Sequence, residues 1–468
     1  MVSRRTLLAG AGVLGAGAAG AIGYRAWRDR EPPSPPAQNA DGDLLWRNWS
    51  GIEHAYPAER LAPTSEDELA SLLRTAATPI RPVGSGHSFT GLATTDGALL
   101  SLDGMSGIVS HDAATHRANV WAGTRLADLG PALSAIGQEM PNLPDINKQS
   151  LAGGVATGTH GTGRDFTALH GQITRFRIAR PDGEIVECAL NRNAELFNAA
   201  RVGLGAFGVL TQIELQNAPL TRVLKRQWGA DLEETMEAWP QLQAQHRNIE
   251  FYAVPFTGYA AIISVDPTDR PVSPRSADED TGALMSLKML RDTLGYVPAL
   301  RRAAAQAAFA DQQPTEWVDE GWKLLSNERP VRFNEMEYHL PLEAQIPALR
   351  DVIAVIERHR GDVFFPVEAR TIRADEAWLS PFHGRDSGSI AVHAYYKDDY
   401  QFLFDLIEPI FRRHDGRPHW GKLHSLGARD FTALYPRWTE AAALRQEIDP
   451  EGRMLNAHLR RVFLDEPA

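Results

Sequence analysis

A histidine behind alternating glycines, a carboxylate two residues before an arginine, and a lysine behind a Trp-Gly turn are the reactive features of this sequence. In Arg81-Pro-Val-Gly-Ser-Gly-His-Ser-Phe-Thr-Gly91, the β-prone Ile80 and Val83 run into Gly84-Ser85-Gly86, then His87 and Ser88. Glycines at alternate positions strip the backbone of side chains, so successive N–H groups can converge on one anion. A histidine directly behind such a nest reaches whatever the nest holds. Taken alone, the stretch also reads as a glycine turn carrying a surface histidine. A second run, Gln149-Ser-Leu-Ala-Gly-Gly-Val-Ala-Thr-Gly-Thr-His-Gly-Thr-Gly163, contains five glycines. That much conformational entropy is not given up merely to make a loop. Glu368 and Arg370, in Phe364-Phe-Pro-Val-Glu-Ala-Arg-Thr371, share one face if the segment is a strand. They are either a structural ion pair or a charged pair aimed at a ligand. Lys422 closes Arg417-Pro-His-Trp-Gly-Lys, where a lone lysine is ordinarily a solvated charge and His419 and Trp420 are packing support.

Other chemistries find less footing. His160 could be a metal ligand or a base, but no second His, Cys or acid stands at ligand spacing near it in sequence, which argues against a metal. No Gly-x-Ser-x-Gly elbow exists for a hydrolase. The formal Gly-x-Gly-x-x-Gly matches at Gly10–Gly15 and Gly203–Gly208 fail as dinucleotide sites. No strand precedes the first; the second has a helix-like segment before it and the strand Val209–Leu215 after it, the reverse of a Rossmann turn. A nicotinamide dehydrogenase is therefore rejected. A net charge of −11 with no basic stripe argues against nucleic acid. Cys188 is the only cysteine, so there is no disulfide framework, and its apolar-alternating run suggests a buried structural thiol.

The elements that must position these residues can be read in order. Ser3-Arg4-Arg5-Thr6-Leu7-Leu8 and the Ala/Gly run to Gly23 match a twin-arginine export signal over residues 1–30, with Ala19-Gly20-Ala21 as a cleavage site. A membrane span is the alternative, though a marginal one, since the run is Gly-rich and ends at Tyr24-Arg25. A Pro-rich linker over 31–43 follows. With 468 residues, 43% hydrophobic and 23% charged, the chain is long enough for two to three domains. Thr64-Ser65 and three acids start a helix through Arg74. Ala98–Leu102, Gly107–Ser110 and Ala118–Trp121 have strand lengths. Thr124 is expected to cap a helix with Leu126, Leu129, Leu133 and Ile136 on one face. Ile173–Ala179 and Gly183–Ala189 form a hairpin about Pro181-Asp182-Gly183. Beyond Thr221 come a hairpin of Ile249–Pro255 with Tyr259–Val265, a loop over Asp266–Asp280, and a strand Phe333–Pro341. Next are a helix presenting Leu342, Ile346, Leu349, Ile353 and Ile356, strands Val363–Ile372 and Ser389–Tyr396, and a helix over Tyr400–Arg413. This alternation predicts a sheet backed by helices.

Together the His87 loop, the Gln149–Gly163 run, Glu368-x-Arg370 and His419-Trp-Gly-Lys422 resemble the vanillyl-alcohol oxidase (p-cresol methylhydroxylase type) superfamily of flavoproteins. Within it the resemblance is closest to the sugar-lactone and alditol oxidases, the D-arabinono-1,4-lactone and L-gulonolactone oxidase group, and it covers Leu44 to Phe463. It implies an α+β fold: a two-subdomain FAD-binding domain over 44–220, a cap over 221–418 with an antiparallel sheet backed by helices, and a segment 419–468 returning to the FAD domain. FAD would be bonded covalently through His87 and held by Val83, Gly84, Ser85, Gly86, Ser88, Asn142, Ser150, Gly153, Thr157, Gly158, Thr159, His160, Gly208 and Val209. Glu368, Arg370 and Lys422 would be catalytic, and with Asn142 and Tyr395 would bind substrate. Tyr395 stands where alditol-oxidising members carry a small hydroxyl residue, and a phenol there would fill part of a polyol pocket. The implied reaction oxidises a CH–OH group of a sugar-derived substrate, foremost an aldono-1,4-lactone, by hydride transfer to flavin N5 with oxygen as acceptor. The alternatives are an alditol oxidase, a dehydrogenase passing electrons to a quinone or cytochrome, and more remotely a non-catalytic carbohydrate-binding protein. The expected partners are a small sugar lactone or polyol, the twin-arginine translocase, and the membrane if the signal stays uncleaved.

Overall fold

The computed structural model describes residues 30–275, 279–295, 297–309, 313–327 and 329–466. The export signal with Arg4 and Arg5 lies outside them, and among the described residues no helix is long and apolar enough to cross a membrane. Among the described residues three larger sheets, beside two two-stranded ones, organise the fold. The first of the three has three parallel strands in the order Glu59–Leu61, Ala98–Ser101, Ile80–Val83. Parallel strands need a crossover, and the helix Glu66–Thr75 supplies the first one. Its N-cap is Ser65, whose side chain accepts from the Glu68 N–H, with acids in the first turn where the helix dipole favours them.

The second sheet is antiparallel, in the order Ile185–Ala189, Ile173–Ala179, Val209–Gln216, Arg117–Trp121, Ile108–Asp112. The expected hairpin about Asp182-Gly183 is its edge pair. The helix Ala194–Ala200 precedes the Gly203–Gly208 turn and the strand follows it, the order that rules out a dinucleotide turn. One detail differs from expectation. Thr124 does not cap the helix Leu126–Ser134; the N-cap is Arg125, whose side chain makes no cap bond. The Thr124 hydroxyl is engaged in the preceding turn, donating to the Trp121 carbonyl and accepting from the Gly107 N–H. Ile136 falls beyond the helix end. Cys188 is buried, and that burial pushes its thiol up to about 12.

The third sheet is antiparallel throughout: Thr315–Glu320, Arg222–Asp231, Tyr259–Pro267, Asn248–Val254, Val367–Ile372, Ser387–Tyr395, Phe333–Pro341, Arg417–Pro418. One face is apolar and packs on helices. Trp239 of Leu232–Gln245 meets Phe251 with ring centroids 4.7 Å apart, and Tyr338 stacks on Phe411 of Glu408–Arg413 at 5.1 Å. The helix Gln345–His359 buries Gln345, Ala348, Leu349, Val352, Ile353 and Ile356. The stripe is rotated from the expected one because Leu342 sits in a 3-10 turn ahead of the helix. The strand expected from Val363 begins only at Val367, behind a proline that lacks a ladder donor. Tyr400–Arg413 is a π-helical turn, Leu403–Ile407, running into an α-helix. Within Asp266–Asp280, the preceding strand extends to Pro267, residues 276–278 are outside the described set, and a helix Glu279–Leu294 starts at the end.

Side chains alternate across a strand, so the opposite face of this sheet carries Glu250, Tyr252, Glu335, Glu337, His339, Glu368, Arg370 and His393. The chain then leaves Arg417–Pro418 and laces onto the parallel sheet. The Phe89 N–H donates to the Gly421 carbonyl at 2.7 Å, Ile80 N–H to Arg453, and the buried Asn456 amide to Gly91 and Thr94 carbonyls. Fully buried Arg81 fans its guanidinium over the carbonyls of Leu92, Leu204 and Met454, tying three distant segments at the root of the His87 loop.

Candidate active site

The charged sheet face and the His87 loop enclose one cavity of about 1380 Å³, larger than the roughly 300–1,000 Å³ of an ordinary ligand pocket. On its glycine wall, Gly84 abuts Ser150, and a Cβ there would lie 2.2 Å from the Ser150 hydroxyl oxygen. Gly86 follows at φ +67, a left-handed conformation that glycine adopts without penalty. The N–H groups of Ser85, Gly86 and His87, three consecutive residues lining the cavity, donate to no described protein group, and unpaired neighbouring donors of this kind suit an anion. The His87 ring stacks on Trp49, centroids 5.3 Å apart. Burial first, then the charges of Lys422, Arg125 and Lys148, push its imidazole down to about 4.

Opposite this wall stand paired charges. Arg370 donates to Glu368, which also accepts from the Tyr252 hydroxyl at 2.7 Å. Lys422 donates to Glu335, and its ammonium lies 4.9 Å from the centre of the Phe89 ring. Burial works against the Arg370 cation, but Glu368, Glu337 and Glu250 together hold its pKa well above the usual value. Burial likewise works against the Glu337 carboxylate, yet His160 above all holds it well below its usual range. Among the described residues two buried polar atoms on the cavity residues, Arg370 Nε and Gln149 Oε1, have no hydrogen-bond partner. Arg370 Nε faces Glu250 behind the row, and Gln149 Oε1 is a buried acceptor of the kind rarely left unpaired.

Of the residues singled out from sequence, Val83, Gly84, Ser85, Gly86, His87, Ser88, Ser150, Gly153, Thr157, Thr159, His160, Gly208, Val209, Glu368, Arg370 and Lys422 line this cavity. Three do not. Asn142 is sealed beneath it, its amide donating to the Thr162 carbonyl at 3.1 Å and its oxygen accepting from Asn248 at 3.0 Å, so it braces two segments. Gly158, at φ +75, packs against Pro381. Tyr395 lies at the far end of its strand against Phe364 and Tyr396, and the side chain of that strand reaching the cavity is His393, two residues earlier on the same face. From that position the Tyr395 phenol does not fill part of the cavity.

His160 also has neighbours its sequence surroundings do not show. Its ring lies between the Gly161 carbonyl at 2.8 Å and Glu337 at 3.0 Å, and ligand atoms of His160, Glu337 and His339 fall within 4.8 Å of one another. The acid and the second histidine come from Phe333–Pro341, far away in the chain, which is why spacing around His160 missed them. Glu335, Glu337 and Tyr252 are the site residues that sequence reasoning passed over. A signal was present: Glu335-Met-Glu-Tyr-His339 alternates ionisable with apolar residues, and both sets are buried.

Glu250 sits behind this row, its Oε2 3.8 Å from Arg370 Nε. Burial, and then the charge of Glu368, raise its carboxyl from the usual 4.5 to about 7 despite Arg370. Between those two pH values the folded chain keeps a proton that the unfolded chain releases. The associated stability is complete below pH 4.5 and is lost as pH rises through about 7. Glu250→Gln has no such group to titrate. Its melting temperature is expected to gain on the parent's as pH is raised through this window, and parallel melting profiles would contradict the assignment.

With the site in view, the chain can be set beside known proteins. Residues 213–462 match the profile of the D-arabinono-1,4-lactone oxidase family, and residues 57–189 that of an FAD binding domain. The chain is 33% identical to L-gulono-1,4-lactone dehydrogenase of Mycobacterium tuberculosis over 430 residues, covering 90% of this chain and 99% of that protein. It is 30% identical to L-gulonolactone oxidase of Mus musculus over 438 residues (90% and 98% covered) and 30% identical to alditol oxidase of a Streptomyces species over 426 residues (88% and 97% covered). Its fold is similar to that of a solvent-stable cholesterol oxidase, with a TM-score of 0.71 at 16% identity, covering 88% of this chain and 96% of that one.

Proposed function

The chain belongs to the D-arabinono-1,4-lactone oxidase family of FAD-dependent enzymes that oxidise sugar-derived substrates, and from that premise we propose that its substrate is an aldono-1,4-lactone, with Glu368, Arg370 and Lys422 acting on it. The observation that carries this reading is the row of mutually paired carboxylates and cations, buried but for the partly exposed Lys422, that faces the His87 loop across one cavity. FAD supplies the hydride acceptor when bound. The nest of Ser85, Gly86 and His87, with the Ser150–Thr159 wall, would hold its anionic part, and we assign His87 as the covalent attachment point.

The remaining work falls to the chain. Glu368, fixed by Arg370 and Tyr252, accepts hydrogen bonds from substrate hydroxyls and so orients the carbinol carbon. A carbinol losing its hydroxyl proton gathers negative charge on oxygen. Arg370 and Lys422, already held by Glu368 and Glu335, meet that charge with little reorganisation. The packed rings of Trp49, Phe89 and Phe333 give the cavity an apolar wall beside His87 and Lys422. Anaerobic mixing of the holoenzyme with a panel of aldonolactones and alditols tests the reading by the bleaching of the flavin. Bleaching by an aldono-1,4-lactone is expected; bleaching by alditols alone would make the protein an alditol oxidase, and bleaching by neither would overturn the assignment.

We further propose that the protein leaves the cytoplasm by the twin-arginine translocase, a route for folded cargo and thus for a chain carrying its cofactor. Ser3-Arg4-Arg5 and the Ala/Gly run support this, and a single cysteine suits folding in a reducing compartment. Arg4→Lys/Arg5→Lys should leave folded, flavin-loaded protein inside the cell; export of that double variant would sink the idea.

A further inference from the structure

The cavity continues past Tyr252 and Glu368, away from the His87 loop, and its character changes there. Beside Tyr252 on the same face stand Ala261 and Gly229, cross-strand neighbours whose lack of bulk lowers the floor. Val254 and Ile263 flank them. The roof is the helix Glu279–Leu294, which turns Leu284, Leu287 and Leu290 inward at helical spacing. Gln227, Ser286 and Thr293 at this end are uncharged, and the cation Arg329 stands at its border, 3.4 Å from the Tyr252 hydroxyl and paired with Asp145.

This helix and its neighbour Pro298–Phe309 are pinned at the far end. Buried Arg291 bonds Asp398 at 2.8 Å and covers the Phe364 ring, and buried Arg301 covers Phe256 and donates to the Val363 carbonyl. The same helical pair and the turn joining it expose Met285, Met289, Val297 and Leu300, at 36 to 64% of their surface, and Met289 also borders the cavity. Apolar side chains are thus exposed on the helical pair that roofs the chamber.

A sugar lactone would lose hydrogen bonds in such a chamber, and the groups suited to hydroxyls stand at the other end of the cavity. The second reactant that an oxidoreductase needs is an electron acceptor. We propose that the chamber beneath Glu279–Leu294 binds a lipophilic quinone, which takes the reducing equivalents after the lactone is oxidised; this rests on the function assigned above. Per turnover the carbinol loses its C–H and O–H bonds and becomes a carbonyl, giving up two electrons and two protons. The quinone gains the same two electrons and two protons as two new O–H bonds, and the enzyme returns to its starting state. Apolar residues outside the chamber suit a molecule taken up from a lipid surface.

Photolabelling of the full-length holoenzyme with an azido-benzoquinone, mapped by peptide mass spectrometry, reads the site without turnover. Label is expected within residues 283–290, displaced by decyl-benzoquinone. Leu287→Trp, which fills the chamber, and Leu284→Asn, which keeps volume but adds polarity, should each weaken displacement and quinone-dependent reoxidation by about tenfold. Reduction by lactone and reoxidation by ferricyanide should stay at the parent rates. Two variants of opposite character separate loss of the site from loss of the fold. Label elsewhere, unsaturable quinone reoxidation, or parent-like behaviour of both variants would overturn the proposal. So would an apolar alcohol that bleaches the flavin and displaces the label, since the chamber would then be a substrate site. Failure of lactones to bleach the flavin, with labelling intact, would count against the assigned substrate and leave the quinone chamber standing.

Discussion

Lys422→Ala and Arg370→Ala are each expected to slow reduction of the enzyme by its lactone by about 10²–10³, the cost of removing one preorganised donor from a developing negative charge. The argument rests on preorganisation. Lys422 is fixed from below by Glu335 and from the side by the Phe89 ring, so its ammonium is positioned before substrate arrives. Arg370 is fixed by Glu368 with Glu250 behind it, and the surrounding carboxylates outweigh burial in keeping it a cation. The two variants differ in what they leave behind. Arg370→Ala leaves Glu368 and Glu250 buried without their cation, which costs on the order of 3–5 kcal/mol of stability, so melting temperature and flavin content must be recorded with the rate. Lys422→Ala strands only Glu335 and is the cleaner probe. Arg370→Lys keeps charge but not the planar fork, and should fall between parent and alanine variant. Glu368→Gln keeps an acceptor for Tyr252 and loses the charge that orients Arg370, so both affinity and rate should suffer. Anaerobic stopped-flow reduction at saturating lactone is the measurement, and parent-like rates in all of these variants would place the active site elsewhere.

What could be read in the sequence, and what could not, divides along a physical line. Local signals were legible. Ser65 with three following acids places a helix start, Asp182-Gly183 places a hairpin, and the Phe333–Pro341 strand has the bounds its pattern implied. Glu368 and Arg370 share a face because a strand has a period of two, whatever surrounds it. The pairing of faces was not legible. Glu337 meets His160 only because Ser387–Tyr395 and Arg417–Pro418 flank its strand in a sheet whose order no local pattern announces. Tyr395 falls outside the cavity for a related reason: parity put it on the facing side, but parity says nothing of how far along the strand the cavity extends, and that reach ends at His393. Asn142 lies outside the cavity lining, and its oxygen accepts from Asn248, over a hundred residues away, a pairing that no local pattern announces.

His87→Ala should yield a folded enzyme from which acid releases all of the flavin, whereas acid-precipitated parent stays yellow. Three observations converge on His87. The ring lines the cavity directly behind the nest of free N–H groups, so a cofactor anchored there by its anionic part lies within reach. Trp49 stacks on the imidazole, and Phe333 packs edge-on against Trp49 at 5.1 Å, so the ring is held in one orientation. Burial first, and then Lys422, Arg125 and Lys148, keep it neutral down to about pH 4. A neutral imidazole has a nitrogen lone pair free to bond carbon, and an imidazolium does not. The same cations that would disfavour a charged histidine therefore favour attachment. Since the nest remains in the variant, binding of FAD should survive while its permanence does not, and oxidation of the lactone should slow. Peptide mapping of the parent gives the decisive reading: flavin on a peptide that lacks His87, or a parent that itself releases flavin into acid, would overturn the assignment, and a variant that retains acid-stable flavin would do the same.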